Sequence, residues 1–194
     1  MTRFAFTGLV LMVAMQRLFE LRISNRHVRA LRAQGAVEAA AAQMPVMAAL
    51  HATWLAAMVA EVWILEPLFR PWLAVVSMAA FAGGQTLRLL AMHALGPRWT
   101  VRVMTLPEAD PVVHGVYRHV RHPNYLGVAI EIASLPLVHG AVWTAAVFSV
   151  ANACVLTARI RAEEAALNHD NAYAQHFGSR GRFLPAPRGP RVRL

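Results

Sequence analysis

Residues 46–65, VMAALHATWLAAMVAEVWIL, hold only one ionised side chain, Glu61, and no proline or glycine. As a helix, this run of about 20 residues is long enough to cross the roughly 30 Å hydrocarbon core of a bilayer. Pro45 stands where proline is tolerated, in a first helical turn. The stretch therefore reads as a transmembrane helix, and the chain as one solvated by lipid. Upstream, Phe4 to Phe19 is a second apolar segment. Gln16, Arg17 and Glu20 stand at its end, where a signal peptide would show a small-residue cleavage site, so it reads as a helix running to about Ile23. Between the two, His27 to Gln43 is polar and then alanine-rich, suiting an interfacial helix or loop. Downstream, Glu66-Pro67 and Arg70-Pro71 punctuate a tight turn. Trp72 to Leu95 is a third span, in which Gly83-Gly84 lets a neighbouring helix come close.

Gly96 to Pro123 is the longest polar stretch between spans, with Pro97, Pro107, Pro111 and Pro123 and the histidines 114, 119 and 122. A loop of that length in a compact protein is usually functional. Asn124 to Val138 is apolar but short for a full span. His139-Gly140 makes a turn and Ala141 to Ala158 returns, a helical hairpin whose first arm is shallow, tilted or continued by its flanks. From Arg159 the chain is charged and amphipathic, through Leu167, Tyr173 and Phe177. Gly178 onward, with Pro185, Pro187 and Pro190, is a tail without period. The expected fold is all-α and polytopic, with about five transmembrane helices, the last two forming the hairpin. Three units follow: residues 1–95, N-terminal transmembrane helices; 96–187, a core of loop, hairpin and C-terminal helix; and 188–194, a basic tail.

Composition agrees. Apolar residues make up 57% of the 194 and charged ones 15%, where a soluble domain carries about 25%. The net charge is +9 and all 19 basic residues are arginine. They lie between apolar segments rather than on one soluble face, which argues against nucleic acid. With loop 21–45, loop 96–123 and tail 159–194 on one side, that side collects the arginines and the other keeps only Arg3 and Arg70. The positive-inside rule then puts the loops and the C-terminus in the cytoplasm and the N-terminus outside. Five spans satisfy this alternation; four would break it. The single cysteine, Cys154, allows neither a disulfide framework nor a zinc cluster and reads as a small buried apolar residue. The ending Arg-Val-Arg-Leu is not a prenylation box, so the chain is not expected to be itself a prenylated substrate.

No Gly-x-Gly-x-x-Gly, Walker loop or Gly-x-Ser-x-Gly is present. The densest polar cluster is residues 113–127, VHGVYRHVRHPNYLG. Pro123 biases His122 away from helical geometry and opens the next helix, whose unpaired N–H groups suit an anion. Gly115 and Gly127 permit close backbone approach. The composition fits an interfacial anchor, with arginines on lipid phosphates and tyrosines in the headgroup belt, and fits a ligand site equally well. Arg159, Arg161, Glu163 and Glu164 form a second cluster. Arg159 and Glu163 are four apart on one helix face, either a solvated ion pair or a charged wall at the mouth of a membrane cavity. Glu61, Glu131 and Asn152 lie in or beside the spans, where an ionisable group takes a functional or paired role. Glu131 follows Asn124 by about two turns, and Glu131 and Asn152 are candidate substrate contacts. Glu61 suits a partner on another helix or the outer boundary. His51 and His93 read as packing residues. The loop histidines lack a carboxylate or cysteine at an orthodox spacing, so no metal is expected.

Arg121-His122-Pro123-Asn124-Tyr125-Leu126-Gly127 resembles the Arg-His-Pro-x-Tyr-x-Gly signature of isoprenylcysteine carboxyl methyltransferases and related phospholipid methyltransferases. Val113 to Arg118 upstream and Arg159-Ile160 with Glu163-Glu164 downstream, then Tyr173, Phe177 and Phe183-Leu184-Pro185, resemble that family in the same order, over about residues 95–187. Trp99 to Arg102 and Leu135 to Gly140 resemble a bacterial branch that includes methyltransferases linked to type III polyketide synthases, acting on long-chain alkylpyrones or alkylresorcinols. The resemblance implies S-adenosylmethionine as methyl donor. By position, His114, Tyr117, His122, Tyr125, Leu126 and Glu163 would surround the cofactor, with the C-terminal helix closing its site. Arg159 and Glu163 would be catalytic, the arginine stabilising an acceptor oxygen. The acceptor implied is lipophilic: a prenylcysteine carboxylate, a polyketide enol or phenol, or a lipid amine. Membrane sterol reductases share a related C-terminal pattern and use NADPH, which leaves a reductase of a sterol-like lipid as an alternative, and a non-catalytic membrane scaffold as a third. The expected location is the inner membrane of a bacterium.

Overall fold

The computed structural model describes residues 2–107, 109–170, 173, 177 and 180–184. Five α-helices carry the fold: α1 (Thr2–Ala33), α2 (Gln43–Ile64), α3 (Pro71–Leu95), α4 (Pro123–Leu137) and α5 (Val142–Asp170). Helices α1, α2, α3 and α5 are each long and apolar enough to cross a membrane. Their outward faces carry exposed Leu11, Met15, Phe19, Val75, Val76, Trp143 and Val147, which in water would be a large unfavourable area. The protein is an integral membrane protein of the all-α class.

Helix α4, at 15 residues, is the short arm the hydropathy pattern foretold. It packs against α3 and α5 and buries Gly127, Val128, Glu131, Ile132, Ser134, Leu135 and Pro136. Pro136 has no N–H, so the carbonyl of Ile132 one turn earlier lacks its helical donor. The indole N–H of Trp54 on α2 donates to that carbonyl at 3.2 Å. Trp54, Met58 and Val62 of α2, Phe6, Val10 and Val13 of α1, and Ile132 and Leu135 of α4 form the apolar core around this bond. Where α3 crosses α4, a Cβ added at Gly84 would stand 3.0 Å from the carbonyl of Gly127, whereas Gly83 faces open space. Gly84 is therefore the residue of that pair which admits the neighbouring helix. At the hairpin turn Gly140 takes φ +78°. The start of α5 is capped from α2: Glu61 accepts the backbone N–H groups of Trp143 at 3.0 Å and Thr144 at 2.7 Å. An anion at a helix N-terminus is a stabilising arrangement.

The structure corrects several expectations. Helix α1 does not end near Ile23 but continues to Ala33, so residues 27–33 are helix rather than a separate interfacial segment. Glu20, Ser24, Val28 and Leu31 form its buried face. After it, β1 (Val37–Ala39) pairs antiparallel with β2 (Val103–Thr105), Glu38 opposite Met104, a small ribbon in an otherwise helical fold. Glu38 accepts from Arg102 and Arg32 at 2.6 Å each, tying the ribbon to α1. Cys154 is exposed on α5 rather than buried. The basic tail 188–194 lies outside the described residues.

Two arginines lie inside the bundle rather than at its ends. Arg17 pairs with Glu131 and with Glu20, the latter at 2.8 Å, and Arg88 pairs with Glu20 at 2.6 Å and Glu131 at 3.4 Å. The quartet links α1, α3 and α4, and Glu131 is 1% exposed. Away from water these charges are tolerable only as a matched set.

Candidate active site

The loop between α3 and α4 folds onto the end of the bundle where α1 extends. Gly96 turns the chain with φ +53°. The segment after it is held from both sides: the ring N–H of His27 donates to the carbonyl of Trp99 at 2.7 Å, Val101 donates its N–H to Ser24 Oγ at 2.9 Å, and Arg159 donates to the carbonyl of Val101. Further on, Gly115 takes φ +58° and opens a 3-10 turn, Gly115–Arg118, that buries Tyr117. His122 then adopts φ −126° and ψ 58°, and Pro123 opens α4.

Tyr125, in the first turn of α4, meets both residues of the second motif. Its hydroxyl donates to Glu163 Oε2 at 2.5 Å and accepts from Arg159 Nε at 2.9 Å. Arg159 and Glu163 thus converge on one phenol rather than forming a solvated pair. The ring of Tyr125 stacks on His122 with centroids 5.5 Å apart, and His122 Nε2 lies 3.1 Å from Glu164 Oε1. Glu164 also accepts from Arg182 Nε at 3.0 Å. The chain beyond α5 closes this end like a strap: Arg121 and His122 donate their N–H groups to the carbonyls of Gly181 and Arg182 at 3.1 and 3.0 Å, and Arg180 donates to the carbonyl of Tyr117 at 3.0 Å. Tyr173 and Phe177 stack beneath it with centroids 4.7 Å apart.

Two cavities flank this constellation. One, of about 130 Å³, lies under the loop and strap and is lined by Asp110, Tyr117, Tyr173 and Phe177 among others. The other, of about 380 Å³, runs into the bundle between α1, α2 and α3. Leu95, Tyr117, Arg121, His122 and Glu163 belong to the walls of both, so the two spaces meet at Glu163 and His122. Burial, then the negative charge of Glu163, pushes the Tyr117 hydroxyl up; burial and the carboxylates of Glu163 and Glu164 do the same for Tyr173. Both remain neutral hydrogen-bonding groups.

Of the residues singled out in the sequence, Tyr117, His122, Tyr125, Arg159 and Glu163 come together here. Four others do not. His114 is exposed and lines neither cavity, because Gly115 turns the chain away behind it. Leu126 points about 100° round the helix from Tyr125 and is absent from both walls. Glu131 is covered by its arginines, and Asn152 is 1% exposed and also behind the wall. Conversely, Arg17, Glu20, His51, Arg88, Trp99 and Asn124 line the larger cavity. Asn124 is a wall residue that the sequence reading does not single out as a contact, and its place after His-Pro in the helix's first turn is the signal that could have found it.

The wall also tests the implied cofactor. Asn124 Oδ1 and Trp99 Nε1 are buried without a hydrogen-bond partner among the described residues. An unused acceptor and an unused donor flanking a cavity suit a ligand that brings both, as the amino-acid portion of S-adenosylmethionine does. Among the described residues there is no cluster that would hold a metal ion.

Comparison with known proteins bears on the same elements. The profile of the isoprenylcysteine carboxyl methyltransferase (ICMT) family matches residues 72–169, which span α3 to α5. The chain is 30% identical over 162 residues to uncharacterized protein YpbQ of Bacillus subtilis (strain 168), covering 84% of this chain and 96% of that one. It is 29% identical over 154 residues to an uncharacterized protein of Haemophilus influenzae, covering 79% and 89%. Among solved structures it is similar to the eukaryotic intramembrane Ras methyltransferase ICMT, with a TM-score of 0.58 at 21% identity, covering 73% of this chain. The chain spans about half of that larger structure, 52% of its length. With the family profile matched across half its residues and a bundle of the same fold beneath the motifs, the chain belongs to the isoprenylcysteine carboxyl methyltransferase family.

Proposed function

We propose that the protein is an S-adenosylmethionine-dependent O-methyltransferase acting on a lipophilic acceptor. The observation that carries this reading is the Arg159–Tyr125–Glu163 hydrogen-bond chain standing where the two cavities share a wall. The water-soluble donor takes the cavity under the loop and strap, with Tyr173 and Phe177 as its contacts there, and reaches past the shared wall at Glu163 and His122 to Asn124 and Trp99 of the larger cavity. The rest of the larger cavity, apolar along α1 and α2, takes the acceptor. When bound, S-adenosylmethionine supplies a methyl group on a cationic sulfur.

The protein's part is placement and charge. Arg159 has a guanidinium free to hold an acceptor oxygen beyond its bonds to Tyr125 and Val101, and charge-assisted bonds of this kind are the strong ones. Glu163, fixed by the Tyr125 hydroxyl, presents a carboxylate to cationic or hydroxylic parts of the donor. The strap and loop keep water from the junction, which favours a reaction in which opposite charges cancel. Holding the reacting atoms in line supplies much of the rate. The arginine-rich end of the bundle, with α1's extension, the loop and the strap, is assigned to the cytoplasm of a bacterial inner membrane and the N-terminus to the outside, following the positive-inside rule.

Isothermal titration of the purified protein with S-adenosylhomocysteine and, separately, NADPH tests the reading. S-adenosylhomocysteine binds to the wild type and weakens when Asn124→Ala removes the unused acceptor, and NADPH does not bind. Binding of NADPH alone would transfer the assignment to a reductase. Incubation with radiolabelled S-adenosylmethionine and the organism's own lipid extract then reveals the acceptor as the lipid that takes up label.

A further inference from the structure

The wall of the larger cavity holds more hydrogen-bond donors than the protein uses. Arg17 of α1 and Arg88 of α3 stand on it beside Glu20. Both are tied to α4, the helix that carries Tyr125. Each bonds Glu131 on that helix, and Arg88 Cγ lies over Gly127, just beyond Tyr125. Asn124, Val128 and Glu131 follow one another at helical spacing on one face of α4, and the first two line the same cavity. The arginines therefore sit about 10 Å deeper in the bundle than the Arg159–Tyr125–Glu163 chain, close to two turns along α4. The one cavity touches both places.

A guanidinium carries an N–H on Nε and two on each terminal nitrogen. Arg17 donates from Nη1 to Glu20 at 2.8 Å and from Nη2 to Glu131. Arg88 donates from Nη2 to Glu20 at 2.6 Å, while its Nη1 contacts to Glu131 and Gln85 are stretched to 3.4 and 3.5 Å. Nε of each arginine is buried without a partner among the described residues. The acceptors, by contrast, are taken. Glu20 also accepts from Gln16 at 3.0 Å, and Gln16 and Gln85 bond each other in both directions at 3.0 Å. The two cations balance the two carboxylates, so an added anion would leave a net charge away from water. Stability alone does not explain the set, because apolar side chains of similar volume commonly hold a core as well or better. Ionisable groups kept inside a span mark a site. What this set lacks is an uncharged oxygen that only accepts.

We propose that Arg17 and Arg88 form a second polar subsite, which binds a ketone, ester or amide carbonyl in the chain of the lipophilic acceptor, about 10 Å from the oxygen that receives the methyl group. This rests on the methyltransferase reading given above and adds a requirement on its substrate: the acceptor is polar at two places. A purely hydrocarbon chain would expel water from the cavity and leave these N–H groups unpaired, which is unfavourable. A chain with a carbonyl at that depth pairs them and is fixed in register, with its reacting oxygen at Arg159. Arg17 and Arg88 are thus specificity-determining residues and touch no reacting atom.

The probe is a long-chain dialkyl ketone, isotopically labelled at its carbonyl carbon and followed by carbon NMR in detergent micelles. Its resonance lies clear of the protein's own carbonyls and moves downfield when the oxygen accepts a hydrogen bond. The wild type gives a saturable downfield shift that empty micelles do not. Arg17→Met with Glu131→Met keeps the remaining charges balanced and weakens ketone binding about tenfold. Changing Glu20 and Arg88 to methionine as well abolishes the shift. S-adenosylhomocysteine affinity, read by titration, is unchanged in both variants, which shows that they fold. Arg159→Met keeps the shift. Should the fourfold variant not fold, Arg17→Lys decides: it keeps the charge with fewer N–H groups and weakens ketone binding, and wild-type ketone affinity in it overturns the proposal. So do a wild type without a saturable shift, a fourfold variant that folds and keeps it, and an Arg159→Met protein that loses it. Displacement of the ketone by a diester phospholipid but not by its diether analogue would give the site to bilayer lipid and overturn the acceptor assignment. A wild type that shows the shift yet binds no S-adenosylhomocysteine would instead remove the underlying methyltransferase reading and leave the carbonyl site standing.

Discussion

Arg88 lies across Gly127: a Cβ built on that glycine would stand 2.5 Å from Arg88 Cγ and 2.8 Å from the carbonyl of Gly84. The glycine that closes the sequence motif is thus required by packing, since it lets α3 and α4 touch and lets Arg88 reach Glu20 and Glu131. Two effects compete in Gly127→Ala. Removing a helical glycine stabilises by about 1 kcal/mol. Overpacking costs about 1–3 kcal/mol, and the obstacles here are a backbone carbonyl and the root of a side chain, which yield poorly. The net expectation is destabilisation by about 1–2 kcal/mol. Gly83→Ala, where a Cβ meets nothing within 4 Å, keeps only the helical gain and raises the melting temperature. Thermal unfolding of both variants in one detergent decides it; equal shifts would show that the crossing is not tight.

Trp54 and Pro136 make a coupled pair through Ile132. Trp54→Phe keeps most of the ring but strands a buried carbonyl, a loss of about 1–3 kcal/mol. Pro136→Ala supplies the helical N–H that this carbonyl lacks. In the double variant the indole is no longer the sole donor, so the penalty of Trp54→Phe shrinks by about 1 kcal/mol or more. A double-mutant cycle on unfolding free energies measures this. Strict additivity would mean that the indole bond contributes nothing to α4.

The site makes a different demand of Tyr125. Tyr125→Phe leaves the ring and its stack on His122 in place but removes the hydroxyl that joins Arg159 to Glu163. Methyl transfer is expected to fall about tenfold to a hundredfold, with kcat more affected than cofactor affinity. Arg159→Lys is expected to lose more, because a single ammonium cannot bond Tyr125, the Val101 carbonyl and an acceptor oxygen together. Steady-state kinetics checks the order of the two. A Tyr125→Phe enzyme of wild-type kcat would show that the hydroxyl is only a brace.

Much of this architecture was legible because lipid imposes simple rules. The apolar runs at Val46–Leu65 and Trp72–Leu95 became α2 and α3, Pro123 opened α4, and Glu61 found a partner on another helix. The length of α1 was lost because its far half leaves the apolar region, so hydropathy falls although Glu20, Ser24, Val28 and Leu31 keep helical spacing to the end. Arg17 and Arg88 were passed over because each sits alone in an apolar run; only the crossing of α1, α3 and α4 shows that they share two carboxylates. The ribbon of Val37–Ala39 with Val103–Thr105 joins residues far apart in sequence through three-residue strands, too short to carry a pattern. His51 read as a packing residue because a lone histidine on an apolar helix shows neither which nitrogen is bonded nor what space the other faces.

The buried phenols supply a test of how firmly the loop and strap close. Tyr117 and Tyr173 are two of the three tyrosines, and burial first, then the carboxylate of Glu163, raises both above the ordinary range. In the unfolded chain both ionise near pH 10. A group whose folded value is raised contributes stability that is fully present below that pH and is lost as the pH climbs beyond it, because only the unfolded chain releases the proton. Alkaline titration followed by ultraviolet phenolate absorption should therefore show at most one tyrosine ionising near pH 10 in the folded protein. The other two appear only in a cooperative step that coincides with loss of structure. Phe177→Ala, which opens the stack over Tyr173, should bring one phenol back to the lower step. If all three ionised together near pH 10 while the helices remained folded, the cavity beneath the strap would be open to water.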